Sequence, residues 1–118
     1  MTDRPGPSAV TAQQFFDLDI RVGRVVECEP FPQARQPAYR MVIDFGELGQ
    51  RRSSARLTDN YTPAQLVGTL VVGVVNLPPR QIGPLRSEVL VLGAFQHGSG
   101  AVALLRPDGE CEPGDRIG

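Results

Sequence analysis

The sequence predicts an all-β domain, a small barrel of short strands, and three observations carry that reading. Two apolar runs, Leu70–Val75 and Val89–Leu92, have strand length and are rich in Val and Leu, which favour a pleated, packed surface over a helix. The 13 glycines and 11 prolines are spread between the apolar runs and punctuate them, as turns between short strands require. Neither apolar run alternates cleanly with polar residues. In the second, Val89, Val91 and Gly93 lie on one face and Leu90, Leu92 and Ala94 on the other. One face fills a barrel, and the other needs separate cover, for which a second subunit is a candidate.

The chain opens with residues 1–10, a loose tail with two prolines and little to bury. Thr11 with Gln14 has capping-box spacing, and Phe15 and Leu18 follow at helical spacing, so a short helix is expected to dock its aromatics on the barrel or on a partner. Asp19–Glu29 reads as the first strand; Gly23 and the Val25-Val26 pair break its alternation and predict a bulge or sharp bend. Pro30 and Pro32 end it, and residues 33–38 form a loop with Arg35 exposed. Tyr39–Phe45 alternates well, with Met41, Ile43 and Phe45 inward and Arg40, Val42 and Asp44 outward. After a turn at residues 46–49, Arg51–Leu57 returns as the third strand, with Arg52, Ser54 and Arg56 on one face. Thr62 followed by Pro63, with Gly68 beyond, marks a short helix before the fourth strand, Leu70–Val75. Asn76–Glu88 is a polar segment stiffened by Pro78, Pro79 and Pro84. The fifth strand is Val89–Leu92, a further strand is Ala101–Arg106, and turns at residues 107–109 and 113–115 complete a C-terminal extension.

At 118 residues the chain suits one domain, residues 11–118 after the tail, with a core that needs neither metal nor disulfide. The formal net charge is -1, so no overall basic field draws it to nucleic acid. All 12 basic residues are arginine, which suits bidentate phosphate contacts and stacking on bases. Cys28 and Cys111 form no ligand pair, and a reducing cytoplasm fits them. No basic-then-apolar leader opens the chain, and no apolar run approaches membrane-spanning length, so no membrane insertion is expected.

Catalysis is not expected. His97, the only histidine, sits in a Gly-rich loop with no ligand partners at useful spacing, and Ser53-Ser54 lacks the strand-turn-helix setting of an activated serine. Residues 46–49 lack a Lys-Ser/Thr ending and are no phosphate loop. Catalytic, metal and cofactor-binding residues are therefore all expected to be none. The arginines point elsewhere. Arg40, Arg52 and Arg56 share a solvent face if the second and third strands form a hairpin, and Arg80 and Arg86 lie on the stiff Asn76–Glu88 segment. With Ser54, Asn76 and Ser87 they form the expected nucleic-acid surface. Phe31 and Tyr39 are candidate stacking residues that could equally be core. Phe15, Phe16, Leu77, Pro79, Leu90 and Leu92 are the candidates for a peptide groove or a dimer interface.

The blocks FFDLDIRVGRVVE (Phe15–Glu27), Gln36–Tyr39, Ile43–Gly46, Ser53–Ala55, Val74–Gly83, Ser87–Gly93 and Leu104–Gly118 together resemble the stand-alone tRNA-binding domain proteins, specifically the CsaA-like secretion chaperones. The resemblance spans Phe15 to Gly118. It implies a five-stranded OB-fold barrel with one short helix between strands three and four, here with an added N-terminal helix. It also implies a homodimer that binds unfolded or pre-secretory polypeptide and works with the export machinery, on a scaffold whose relatives bind tRNA. The family's tRNA surface carries over onto Ser53, Ser54, Arg56, Asn76, Pro79, Arg80, Ser87 and Glu88. At Glu88 a carboxylate follows the serine where relatives continue Gln-Gly-Met, and Gln36 stands where CsaA-like chains are often basic.

Overall fold

The computed structural model describes residues 8–118, so most of the expected tail lies outside the described residues. The first element is helix α1, Ala12–Phe16, capped reciprocally. Thr11 Oγ1 accepts from the Gln14 N–H at 3.0 Å, and Gln14 Oε1 accepts from the Thr11 N–H at 2.8 Å. None of its residues is buried. Phe15 and Phe16 pack edge-on against each other, their ring centroids 5.3 Å apart, and both stay exposed, so the barrel does not cover them.

Strand β1, Ile20–Pro30, is the long element on which the barrel turns. Its first half pairs with β4 (Leu70–Val74) and its second half with β2 (Tyr39–Asp44). Val25 pairs with Ile43 and Glu27 with Val42, leaving Val26 as the extra residue of the expected bulge. The bulge bends the strand so that one element serves two neighbours. β2 crosses a single 3₁₀ turn at Gly46–Leu48 into β3, Gln50–Ala55. Thr62 caps helix α2, Pro63–Leu66, which leads into β4 and places Leu66 in the core.

The second half departs from expectation in two places. Asn76–Glu88 is not simply a polar connection, because it folds into a hairpin of β5 (Arg80–Ile82) and β6 (Leu85–Ser87). Leu85, buried, anchors that hairpin. The fifth strand shrinks to β7, Leu90–Val91, paired with Gly73 and Val74. The chain then leaves the barrel as a second hairpin, β8 (Gly93–Phe95) with β9 (Val102–Leu104). The main sheet runs β3-β2-β1-β4-β7 and curls into a nearly closed antiparallel OB-type barrel. Short contacts latch its two ends: the Glu88 N–H donates to the Arg52 carbonyl at 2.8 Å, and the Ser53 hydroxyl to the Val89 carbonyl at 2.9 Å.

The core lies inside the barrel, built from Val25, Met41, Ile43, Phe45, Leu57, Leu66, Val71, Val75 and Val89. Two glycines make room for Phe45 at its centre. A Cβ on Gly23 would sit 2.6 Å from Ile43 Cγ2 and 2.7 Å from the Phe45 ring, and one on Gly73 would sit 2.7 Å from Val89 Cγ1. Phe31 and Tyr39 also belong to the interior; Tyr39 is 8% exposed and donates its hydroxyl to the Tyr61 carbonyl at 2.8 Å, so neither ring is free to stack on a ligand. The C-terminal residues line β1 where β2 does not reach. Gly114 donates to the Val22 carbonyl at 2.7 Å, Val22 to Asp115 at 2.9 Å and Ile117 to Ile20 at 2.9 Å.

Candidate functional site

The ladder between β2 and β3 places Arg40 opposite Ser54 and Val42 opposite Arg52, all on the outer face. The arginine rim read from the sequence is therefore a real surface, but carboxylates share it. Glu29 pairs in register with Arg40 and Glu27 with Val42. The Arg40 guanidinium bonds Glu29, and Arg52 Nε lies 3.2 Å from Glu88 Oε1. Such exposed pairs add little stability. Their consequence is electrostatic, because each positive charge on this face has its own counter-charge within contact distance.

A different charge pattern lines a cleft of about 920 Å³ between the loop of residues 33–38, the end of β3, strand β5 and the β7–β8 segment. Its charged lining is Arg35, Arg56 and Arg80, with no aspartate or glutamate. Among the described residues none of these three forms a salt bridge; Arg56 donates to the Gln36 side-chain carbonyl. The same lining carries apolar side chains: Leu90 at 52% exposure, Phe95 at 78%, and the half-buried Leu92, which packs against Ile20, Val72 and Val74. The cleft thus joins uncompensated positive charge to exposed apolar surface, on a chain whose net charge is -1.

The expected site residues do not form one surface. Ser54, Arg56, Arg80, Leu90 and Leu92 meet in the cleft, whereas Arg40 and Arg52 stay on the paired outer face. Arg86 is exposed on β6 opposite Gln81, outside the cleft lining; Ser87 Oγ accepts from the Ser54 N–H at 3.3 Å, tying β6 to β3. Asn76 lies at the α1 end, where its amide bridges the helix to β1. It donates to the Asp17 carbonyl and accepts from the Asp19 N–H, each at 2.8 Å. Phe15, Phe16 and Leu77 are exposed at that same end, and Pro79 is exposed just before β5. Phe95 escaped the sequence reading. Its signal was Gly93, which breaks the apolar run and lets the next aromatic leave the barrel.

His97 is exposed in its loop, the Ser53 hydroxyl is spent on Val89, and among the described residues no cluster of three metal-ligating side chains occurs. Burial, helped by the neighbouring Glu29 charge, pushes the Cys28 thiol up to about 11. The Asp19 carboxyl is held below its ordinary value chiefly by its hydrogen bond from Arg21. No described helix is long and apolar enough to cross a membrane.

A family model described as "Putative tRNA binding domain" matches residues 20–116, the whole barrel and the C-terminal extension. The chain belongs to this tRNA-binding domain family. Within the family it is CsaA-like. The crystal structure of the chaperone CsaA from Bacillus anthracis str. Ames is 44% identical, covers 94% of this chain and 100% of that one, and superposes with a TM-score of 0.88. The CsaA chaperone protein of Picrophilus torridus is 45% identical over 93% of this chain and 100% of that one, with a TM-score of 0.87. The methionine–tRNA ligase of Porphyromonas gingivalis is 37% identical over 108 residues, which are 92% of this chain and 15% of the ligase. This chain therefore spans only about 15% of the length of that curated relative.

Proposed function

We propose that this CsaA-like protein is a cytoplasmic, homodimeric chaperone that holds unfolded or pre-secretory polypeptide in the arginine-and-apolar cleft and hands it toward the export machinery. The observation that carries the reading is the cleft itself, whose lining joins exposed Leu90 and Phe95 and half-buried Leu92 to Arg35, Arg56 and Arg80 with no carboxylate among them. Concave apolar surface with a few placed polar groups is what ligand sites are made of. Likeness over nearly the full chain to two proteins titled CsaA chaperones supports the class. The second copy is assigned to the α1 end, where Phe15, Phe16, Leu18, Leu77 and Ile117 are all at least 36% exposed. A patch of that kind calls for cover.

A second reading, a tRNA-binding protein acting in trans, is favoured by the same unpaired arginines and by Phe95 as a stacking platform for a base. Titrating an unfolded, apolar-rich peptide and a tRNA against the protein at about 50 and about 200 mM salt separates the two. Apolar burial contributes about 25 cal/mol per Å² and is not screened, so the peptide should keep most of its affinity at the higher salt. A peptide lost as steeply as the tRNA would make the arginines the site for both and end the chaperone reading. Light scattering tests the dimer; a folded monomer at low micromolar concentration would rule it out.

A further inference from the structure

The three arginines of the cleft are tied to one loop. Arg35 belongs to the loop of residues 33–38, whose base is closed where the Phe31 N–H donates to the Ala38 carbonyl at 3.0 Å. The Arg56 guanidinium donates to the Gln36 side chain, one residue along from Arg35. Arg80 lies on β5, and the turn of that hairpin leans on the same loop: a Cβ on Gly83 would sit 3.5 Å from Gln33 Cβ. Buried Leu85 anchors the hairpin, and the Gln81 amide donates to the Gly83 carbonyl at 2.8 Å, which stiffens the turn. Among the described residues no carboxylate pairs with any of the three arginines, and none lines the cleft. Like charges fastened to one loop repel each other, and a polyanion relieves that repulsion. The lining holds one aromatic, Phe95, opposite Val102 in the β8–β9 ladder and 78% exposed.

We propose that the cleft binds a nucleoside polyphosphate, its phosphates on Arg35, Arg56 and Arg80 and its base on Phe95. The proportion of groups favours that ligand over a nucleic-acid strand. A strand spaces its phosphates one to a nucleotide, whereas a polyphosphate gathers several at one end of a single nucleoside. One aromatic and three arginines on one loop match one base and several phosphates. The guanidinium fork suits phosphate oxygens, and an aromatic ring accepts the face of any base. The volume of about 920 Å³ lies within the range of small-molecule sites. The same side chains serve the polypeptide proposed above, so bound nucleotide excludes polypeptide and regulates its release. This regulatory half rests on the chaperone reading; the nucleotide site does not.

The test titrates ATP, AMP, inorganic triphosphate and a short single-stranded RNA into the whole chain by calorimetry, without magnesium and at about 50 mM salt. ATP should bind about tenfold more tightly than AMP, which lacks two phosphates, and than triphosphate, which lacks the base. Arg56→Ala and Arg80→Ala should each weaken ATP by about tenfold. Phe95→Ala should weaken ATP and leave triphosphate unchanged, a split that unfolding would not produce. Arg106→Ala, exposed and outside the lining, should leave ATP binding as it was. ATP no tighter than AMP or triphosphate overturns the proposal, as does an equal loss in Arg106→Ala or binding of the RNA without binding of ATP. An unfolded, apolar-rich peptide is then titrated with and without saturating ATP. Displacement by ATP supports the regulatory half, whereas equal peptide binding in both overturns it and leaves the nucleotide site standing. A peptide that fails to bind even without ATP overturns the chaperone reading and the regulatory half together, and the first titrations still decide the nucleotide site.

Discussion

If nucleic acid binds this protein, the two arginine surfaces should behave differently, and the difference has a calculable size. In one variant Arg35, Arg56 and Arg80 are replaced by alanine, removing the three cleft cations that have no carboxylate partner. In the other, Arg40 and Arg52 are replaced, both already paired with Glu29 and Glu88. Each phosphate neutralised on a single strand contributes about 0.7 to the slope of log affinity against log salt. Three cleft arginines therefore account for a slope of about 2, or roughly twentyfold in affinity over a fourfold rise in salt. Fluorescence anisotropy with a labelled single-stranded RNA, repeated across a salt series, reads that slope directly. The cleft variant should lose about 2 from it. The rim variant should lose less than one contact's worth, because a phosphate reaching Arg40 or Arg52 must displace a carboxylate already there. If the rim variant flattens the slope as much as the cleft variant does, the ion pairs are not the insulation argued for, and the RNA surface is the outer β2–β3 face.

Three further outcomes test the fold and its local chemistry. Gly73→Ala forces a methyl toward Val89 and Phe45 and should cost about 1–3 kcal/mol in chemical denaturation, since overpacking a filled core displaces backbone or rotamers. A neutral result would mean the barrel centre is looser than its glycines imply. Asn76→Ala removes two hydrogen bonds worth about 0.5–1.5 kcal/mol each, and hydrogen exchange should show α1 fraying while the barrel stays protected. Uniform loss of protection would show that Asn76 holds the barrel and not the helix. Cys28, with its pKa raised to about 11, is a neutral thiol at ordinary pH. Alkylation in a Cys111→Ser background should be far slower than in the unfolded chain at pH about 8 and accelerate as pH rises toward that value. The stability linked to this proton is present below the ordinary thiol range and lost as pH climbs through it to about 11, the sign expected for an acid raised by burial. Native and unfolded rates that match at pH about 8 would show the site is open to water.

Local signals made much of the fold legible. Thr11 with Gln14 and Thr62 with Pro63 wrote both helix starts, and Val25-Val26 wrote the bulge that the ladder shows at Val26. The alternation of Tyr39–Phe45 fixed which side chains enter the barrel. What escaped the sequence depended on register between distant segments. Glu29 neutralises Arg40 because those two residues oppose each other across a ladder, and Glu88 reaches Arg52 only when the sheet curls round. No count of charges along the chain contains that information. Asn76, polar and two residues before Pro78-Pro79, looked available to a ligand until the fold brought Asp17 and Asp19 to its amide. The three aromatics changed places for a similar reason. Phe31 and Tyr39 flank a loop in sequence but fill the interior in space, while Phe95 follows an apolar strand that stays in the sheet yet leaves the barrel on β8.

The contact between residues 114–117 and the start of β1 has a bearing on how the chain is made. The first strand cannot gain its second neighbour there until residues 114–117, over ninety positions later, have been synthesised. At ribosomal speeds of about 5–20 residues per second, that wait lasts roughly 5–20 s. Through it the Ile20–Val22 edge, with its apolar Ile20 and Val22, has no strand partner on that side, the exposure that invites pairing with another nascent chain. A protein proposed to shield other unfinished polypeptides thus has its own first strand half-covered until residues 114–117 reach it. A bulky insertion directly after Gly118 would be expected to disturb that closing contact.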